Sequence, residues 1–149
     1  FRPAEPVPEG TALLLDVPVD DRLIGALEGV GLDPYVGFLH RSCPGRQSLA
    51  LDLMEELRAA FADRLVISCI NQKIITPKYC RSQENGAVLL TEEGRKAFLT
   101  AWQRRKQEVI THPFLAEKIP WGLVPYVQAL LLSRALRGDL ETYPPFFWK

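Results

Sequence analysis

The ten residues from Ser48 to Leu57, SLALDLMEEL, constrain this chain more than any other stretch. Leu49, Leu53 and Leu57 fall on an i, i+4, i+8 line, the spacing of one buried helical stripe. Burying that stripe fixes the rotation of the helix. At about 100° per residue, Glu55 then lies about 60° to one side of Asp52 and Glu56 about 40° to the other, so the spacing predicts three carboxylates on one narrow face at the edge of the core. His40 stands upstream, across an Arg/Pro/Gly turn. One imidazole facing several carboxylates is a donor set for a divalent cation. The competing reading is that acids on a helix form a solvated face and that a lone histidine is structural. Spacing alone leaves both readings open.

Around this stretch the chain reads as helical. Asp20 or Asp21 is placed to cap a short helix reaching about Val30, with Gly29 or Gly31 ending it. Leu32 to Gln47, rich in Gly and Pro, reads as the loop that presents His40. Ser48 is expected to cap the acidic helix, which runs to about Phe61, with a second helical segment from Asp63 to Asn71. The polar turn Ser82 to Asn85 leads to a short extended stretch, Gly86 to Leu90. Thr91 opens a helix with Glu92 and Glu93 in its first turn, where acids suit the helix dipole. Phe98, Trp102 and Val109 are expected on its buried side and Arg104 on the other. Leu123, Val127, Leu130 and Leu131 mark a last amphipathic helix ending near Gly138, before an aromatic, proline-rich tail. Two units follow: a poorly patterned segment, 1–19, and a helical domain, 20–149.

The 149 residues are 47% hydrophobic, enough for one domain with a real core. No apolar run approaches the roughly 18 residues of a membrane span, and Phe1-Arg2-Pro3-Ala4-Glu5 lacks the pattern of a signal peptide. Cys43, Cys69 and Cys80 are odd in number and show no C-x-x-C spacing, which argues against a disulfide framework and suits a reducing cytoplasm. Net charge is zero, yet residues 1–33 hold seven acids and two bases, whereas residues 34–149 hold eleven acids and sixteen bases. The basic excess favours phosphate contact. Arg41 and Arg46 flank the His40 loop, and Arg104, Arg105 and Lys106 form a second basic cluster. Their alternative role is a solvated face with stems packed over apolar side chains. His112 is read as a capping or core histidine, and Trp121, Phe146, Phe147 and Trp148 as aromatics that dock a terminus on the core rather than stack on bases. With Phe1 first and Met54 the only methionine, the chain is expected to be a processed product or a part of a longer protein.

Longer motifs point to a family. The run from Ala26 to His40, ALEGVGLDPYVGFLH, is followed by Asp52-Leu53-Met54-Glu55, Thr111-His112-Pro113-Phe114, Pro120-Trp121-Gly122-Leu123-Val124-Pro125 and Leu136-Arg137-Gly138-Asp139. Together they resemble the CRISPR-associated spacer integrase, the metal-dependent adaptation nuclease, in its type I-C-like form. The resemblance runs from about Gly25 to Lys149. In that family the metal is held by a glutamate from an earlier helix, a histidine in a G-F-x-H motif and an acid in a D-x-x-D/E motif. His40 matches the histidine and Glu55 the acid, with Asp52 opening the second motif. The resemblance therefore implies His40, Asp52 and Glu55 as catalytic residues, His40 and Glu55 as ligands of Mg²⁺ or Mn²⁺, and Arg41, Arg46, Arg104 and Arg105 as DNA contacts. The first glutamate has no counterpart: Asp16, Asp20, Asp21 and Glu28 stand in no such motif.

The implied architecture is an all-α domain, the C-terminal catalytic lobe without the N-terminal β-domain, and such a lobe is expected to be inactive by itself. The implied parent function is insertion of spacer DNA into a repeat array. The implied partners are DNA (spacer precursor and repeat duplex) and a small CRISPR adaptation protein, with homodimers in the intact family and a monomer here. The alternative is a non-catalytic remnant that keeps DNA or partner contacts.

Overall fold

The computed structural model describes residues 23–39, 45–82 and 88–147. The expectations for residues 1–22, the turn 83–87, His40, Arg41, Cys43 and Trp148 lie outside the described residues. Residues 23–29 form the described part of helix α1, which ends at a turn where Gly31 takes φ +79°. The Leu32 amide reaches back to the Leu27 carbonyl and the Gly31 amide to the Glu28 carbonyl, a closing pattern that needs the left-handed conformation glycine adopts without strain. Of the two predicted glycines, Gly31 is therefore the terminator.

Helix α2, Ser48–Leu57, buries the expected stripe: Leu53 is fully buried, and Leu49 and Leu57 nearly so. It continues without a break through a π-helical turn, Arg58–Asp63, into α3, Arg64–Asn71. The sequence reading put a division there. The wider turn instead turns Ala60, Phe61 and Ala62, three successive residues, all inward. Phe61 meets Trp102 at 4.7 Å between ring centroids and Trp121 at 5.0 Å. These rings close the centre of the core.

A short 3₁₀ turn, Pro77–Tyr79, leads into an antiparallel hairpin of β1, Cys80–Ser82, and β2, Val88–Leu90, with Arg81 opposite Leu89. Thr91 caps α4, Glu92–Gln107, its hydroxyl accepting from the Gly94 amide, and Arg104, Arg105 and Lys106 occupy the last turn, where cations suit the dipole. Phe98 and Trp102 are buried as expected. Val109 is not: it is 62% exposed and belongs to β3, Val109–Thr111, which pairs with β4, Lys118–Pro120. In that hairpin the alternation of a strand applies, so Ile110 points in and Val109 out.

A 3₁₀ turn, Trp121–Leu123, precedes α5, Val124–Leu136, which packs against α2. Its buried line is Val124, Gln128, Leu131 and Leu132, whereas Leu123 and Leu130 are 49% and 45% exposed. The expected face was thus displaced, because a glutamine occupies the middle of the buried one. The fold is mainly helical, with two small hairpins. Among the described residues no helix is long and apolar enough to cross a membrane.

Candidate functional site

The backbone between α1 and α2 is held onto the first turns of α2 from two sides. Ser48 does not cap the helix with its side chain. The Pro34 carbonyl takes that role, accepting from the Leu49 and Ala50 amides at 2.9 and 3.4 Å. One turn on, Asp52 is buried, and its Oδ2 accepts from the Phe38 amide at 2.7 Å and the Leu39 amide at 3.0 Å. Hydrogen bonds to a carboxylate are short and strong, so residues 38–39 are fixed directly before His40. Gly37 makes this possible. A Cβ there would stand 2.6 Å from the Ser48 Cβ and 2.8 Å from Asp52 Oδ2, closer than real side chains come, so the G of G-F-L-H is where loop backbone lies against the helix.

The three acids of α2 do not share a face around one cation. They divide. Asp52 faces the loop; Glu55 is exposed, its side chain 59% accessible, with the Arg58 guanidinium at 3.6 Å. Glu56 turns the other way, toward α5 and the C-terminal tail. It accepts from Gln128 Nε2 at 2.6 Å, from the Tyr143 hydroxyl at 2.8 and 3.0 Å, and from the Phe146 amide at 2.5 Å. Each of the three carboxylates meets a different neighbour.

The Glu56 cluster extends to His112, which is 1% exposed. The Phe114 and Leu115 amides donate to its Nδ1, so the proton sits on Nε2 and donates to Gln128 Oε1 at 3.0 Å. That fixes the Gln128 amide with its nitrogen toward Glu56 and Tyr143. Burial lowers the His112 pKa from 6.5, opposed by the Gln128 bond and the Glu56 charge. Burial raises the Tyr143 phenol far above its ordinary range, reinforced by the Glu56 charge, so Tyr143 remains a donor. Phe146 lies edge-on to His112 and Trp121, each at 5.5 Å, and this seats the tail. His112, Trp121 and Phe146 thus have the core roles expected of them, whereas Phe147 is exposed. The sequence reading did not find Gln128, Tyr143 or the role of Glu56. The available signal was Gln128 four residues after Val124, in phase with Leu131 and Leu132.

The basic residues separate in the same way. Arg46 and Arg104 are exposed. Arg105 is engaged: its guanidinium lies 5.7 Å from the Trp121 ring centre and 2.5 Å from a Glu108 carboxylate oxygen. Lys106 is buried. As for a metal, no group of three or more His, Cys, Asp or Glu suited to one occurs among the described residues. Glu55 nonetheless fits one ligand position, as a surface carboxylate whose pair with Arg58 is exposed and weak. Asp52 sets the chain that enters the histidine motif.

The described helices and hairpins form the helical lobe seen in Cas1 structures. The family described as "CRISPR associated protein Cas1" matches residues 19–104, and the chain belongs to that family. It is 60% identical over 124 residues to "CRISPR-associated endonuclease Cas1 2" of Rhodospirillum rubrum, a match covering 83% of this chain and 36% of the relative. The chain thus spans about a third of the length of that curated relative. In fold it is similar to a casposase bound to integration product, with a TM-score of 0.77 at 24% identity over 93% of this chain and 41% of that one. It is also similar to a Cas6-RT-Cas1–Cas2 complex, with a TM-score of 0.72 at 19% identity over 99% of this chain and 16% of that one.

Proposed function

We propose that this chain is the C-terminal catalytic lobe of a CRISPR adaptation integrase, a metal-dependent enzyme that joins spacer DNA to a repeat duplex. The observation that carries the reading is the Asp52 clamp on Phe38 and Leu39 beside an exposed Glu55. It brings the chain entering His40 and the exposed acid of the D-x-x-E motif to the same stretch of α2. His40 and Glu55 would hold Mg²⁺ or Mn²⁺, the imidazole suiting Mn²⁺ somewhat better. When bound, such an ion supplies charge neutralisation at phosphoryl oxygens and at a leaving oxygen. Asp52 holds the amides of Phe38 and Leu39, the two residues before His40, and so acts as a positioning residue for the chain that enters the motif. Arg41, Arg46 and Arg104 are the proposed phosphate contacts, whereas Arg105 is held by Trp121 and Glu108.

A casposase bound to integration product and a Cas6-RT-Cas1–Cas2 complex share this fold. That supports DNA and a small adaptation protein as partners of the intact protein; homodimers of the intact protein and a monomer for this lobe alone are further parts of the proposal. Alanine at the position of Glu55 in a full-length relative is expected to abolish integration and leave thermal unfolding unchanged. Integration that survives the alanine would contradict the assignment.

A further inference from the structure

The carboxylates of α2 are balanced in different ways. Asp52 accepts from two backbone amides, and Glu56 from the Gln128 side chain, the Tyr143 hydroxyl and the Phe146 amide. Those bonds tie chain segments together. Glu55 meets a full charge instead: Arg58 Nη1 stands 3.6 Å from its Oε2, beyond hydrogen-bond length, and neither side chain has a hydrogen-bonded partner among the described residues. The two ends of the pair differ. Arg58 begins the π-helical turn, and its side chain is 37% accessible against 59% for Glu55, so its stem is packed while the carboxylate is the freer group. Such a pair contributes little to stability and exchanges its partner readily. It does hold a positive charge at the acid of α2 that stays on the surface.

We infer that Arg58 is the resident counter-ion of the Glu55 ligand position: it neutralises the carboxylate in the absence of metal, is displaced by the divalent cation, and thereby sets the affinity for that cation. The inference rests on the reading of Glu55 as a ligand and adds a residue outside the D-x-x-E motif that tunes it. Because a guanidinium and a dication contend for one carboxylate, the affinity carries the repulsion between like charges. In near-aqueous surroundings that repulsion amounts to about three- to tenfold in affinity. Salt weakens it, since the Debye length falls from about 10 Å at 0.1 M to about 3 Å at 1 M. Arg58 acts through Glu55, as a positioning residue.

The test is a Mn²⁺ titration of the full chain at low salt, read as paramagnetic broadening of the amides around Glu55. Arg58→Met, which keeps an unbranched stem and removes the charge, is expected to bind Mn²⁺ about three- to tenfold more tightly, and the gain should shrink at about 1 M KCl. Arg58→Lys keeps the charge and should bind like the wild type. Arg64→Met makes the same change of net charge on α3 and should also bind like the wild type. A merely structural role would lower the melting temperature of Arg58→Met without raising its Mn²⁺ affinity. A second measurement needs no variant at Arg58: adding Mg²⁺ to the wild type should move the Arg58 Nε–H resonance toward its position in Glu55→Ala. Equal Mn²⁺ affinity in Arg58→Met and the wild type, or an Arg58 resonance that stays in place while Mg²⁺ shifts the amides around Glu55, would overturn the counter-ion role and leave the ligand reading standing. No response of those amides to Mn²⁺ in either chain would overturn the ligand reading itself.

Discussion

His112 is neutral in the fold because both faces of its chemistry are engaged, with Nδ1 taking two amides and Nε2 giving its proton to Gln128. Protonating Nδ1 would set a third N–H against two donors. Its folded pKa therefore lies below the unfolded 6.5, with desolvation as the main cause. A depressed histidine contributes stability that is fully present above about pH 6.5 and is lost as pH falls through the folded value. Urea midpoints measured from pH 8 to 5 should fall below pH 6.5, and His112→Asn should flatten that part of the curve. His40 is the only other histidine, so His40→Asn serves as the control and should keep the fall. Equal midpoints at pH 8 and 5.5 in the wild-type chain would contradict this account. The structural part for His112 was legible from its Pro113 neighbour, but its partner was not: Gln128 is buried only because Glu56, 72 residues away, accepts from it.

At the scale of elements, the decisive contact is a loop laid against a helix. Pro34 closes the N-terminus of α2, Asp52 holds the amides of Phe38 and Leu39, and Gly37 lets the two backbones meet. Gly37→Ala should therefore push the loop away from α2. The expected cost is about 1–3 kcal/mol, the range for overpacking a filled site, read as a lower urea midpoint. Hydrogen-exchange protection of the Phe38 and Leu39 amides should fall with it. Unchanged protection would show that the loop has another anchor. The leucine stripe of α2 could be read from spacing, since local periodicity decides it. The π-helical turn at Arg58–Asp63 could not, because Trp102 and Trp121 draw Phe61 inward from elsewhere in the chain. Val109 was misassigned for a similar reason: the residues of α4 run straight into a strand with no glycine or proline between them.

For the molecule as a whole, α2 is the hub. Its N-terminal half carries the histidine loop, its Glu56 carries the tail through Gln128, Tyr143 and Phe146, and its Glu55 remains at the surface. The family and the mainly helical fold were legible from motifs and periodicity. The division of the three acids was not, because it depends on which distant segment each carboxylate meets. The most direct test of that division is one series, Asp52→Ala, Glu55→Ala and Glu56→Ala, with melting temperature and Mn²⁺ paramagnetic broadening measured for each. Glu56→Ala should lose about 2–3 kcal/mol, since it strands buried donors, and Asp52→Ala should also melt early. Glu55→Ala should melt like the wild type and lose the Mn²⁺ broadening of residues around it. A Glu55→Ala chain that melts several degrees early with its Mn²⁺ response intact would contradict the account, because Glu55 would then be a clamp like its neighbours.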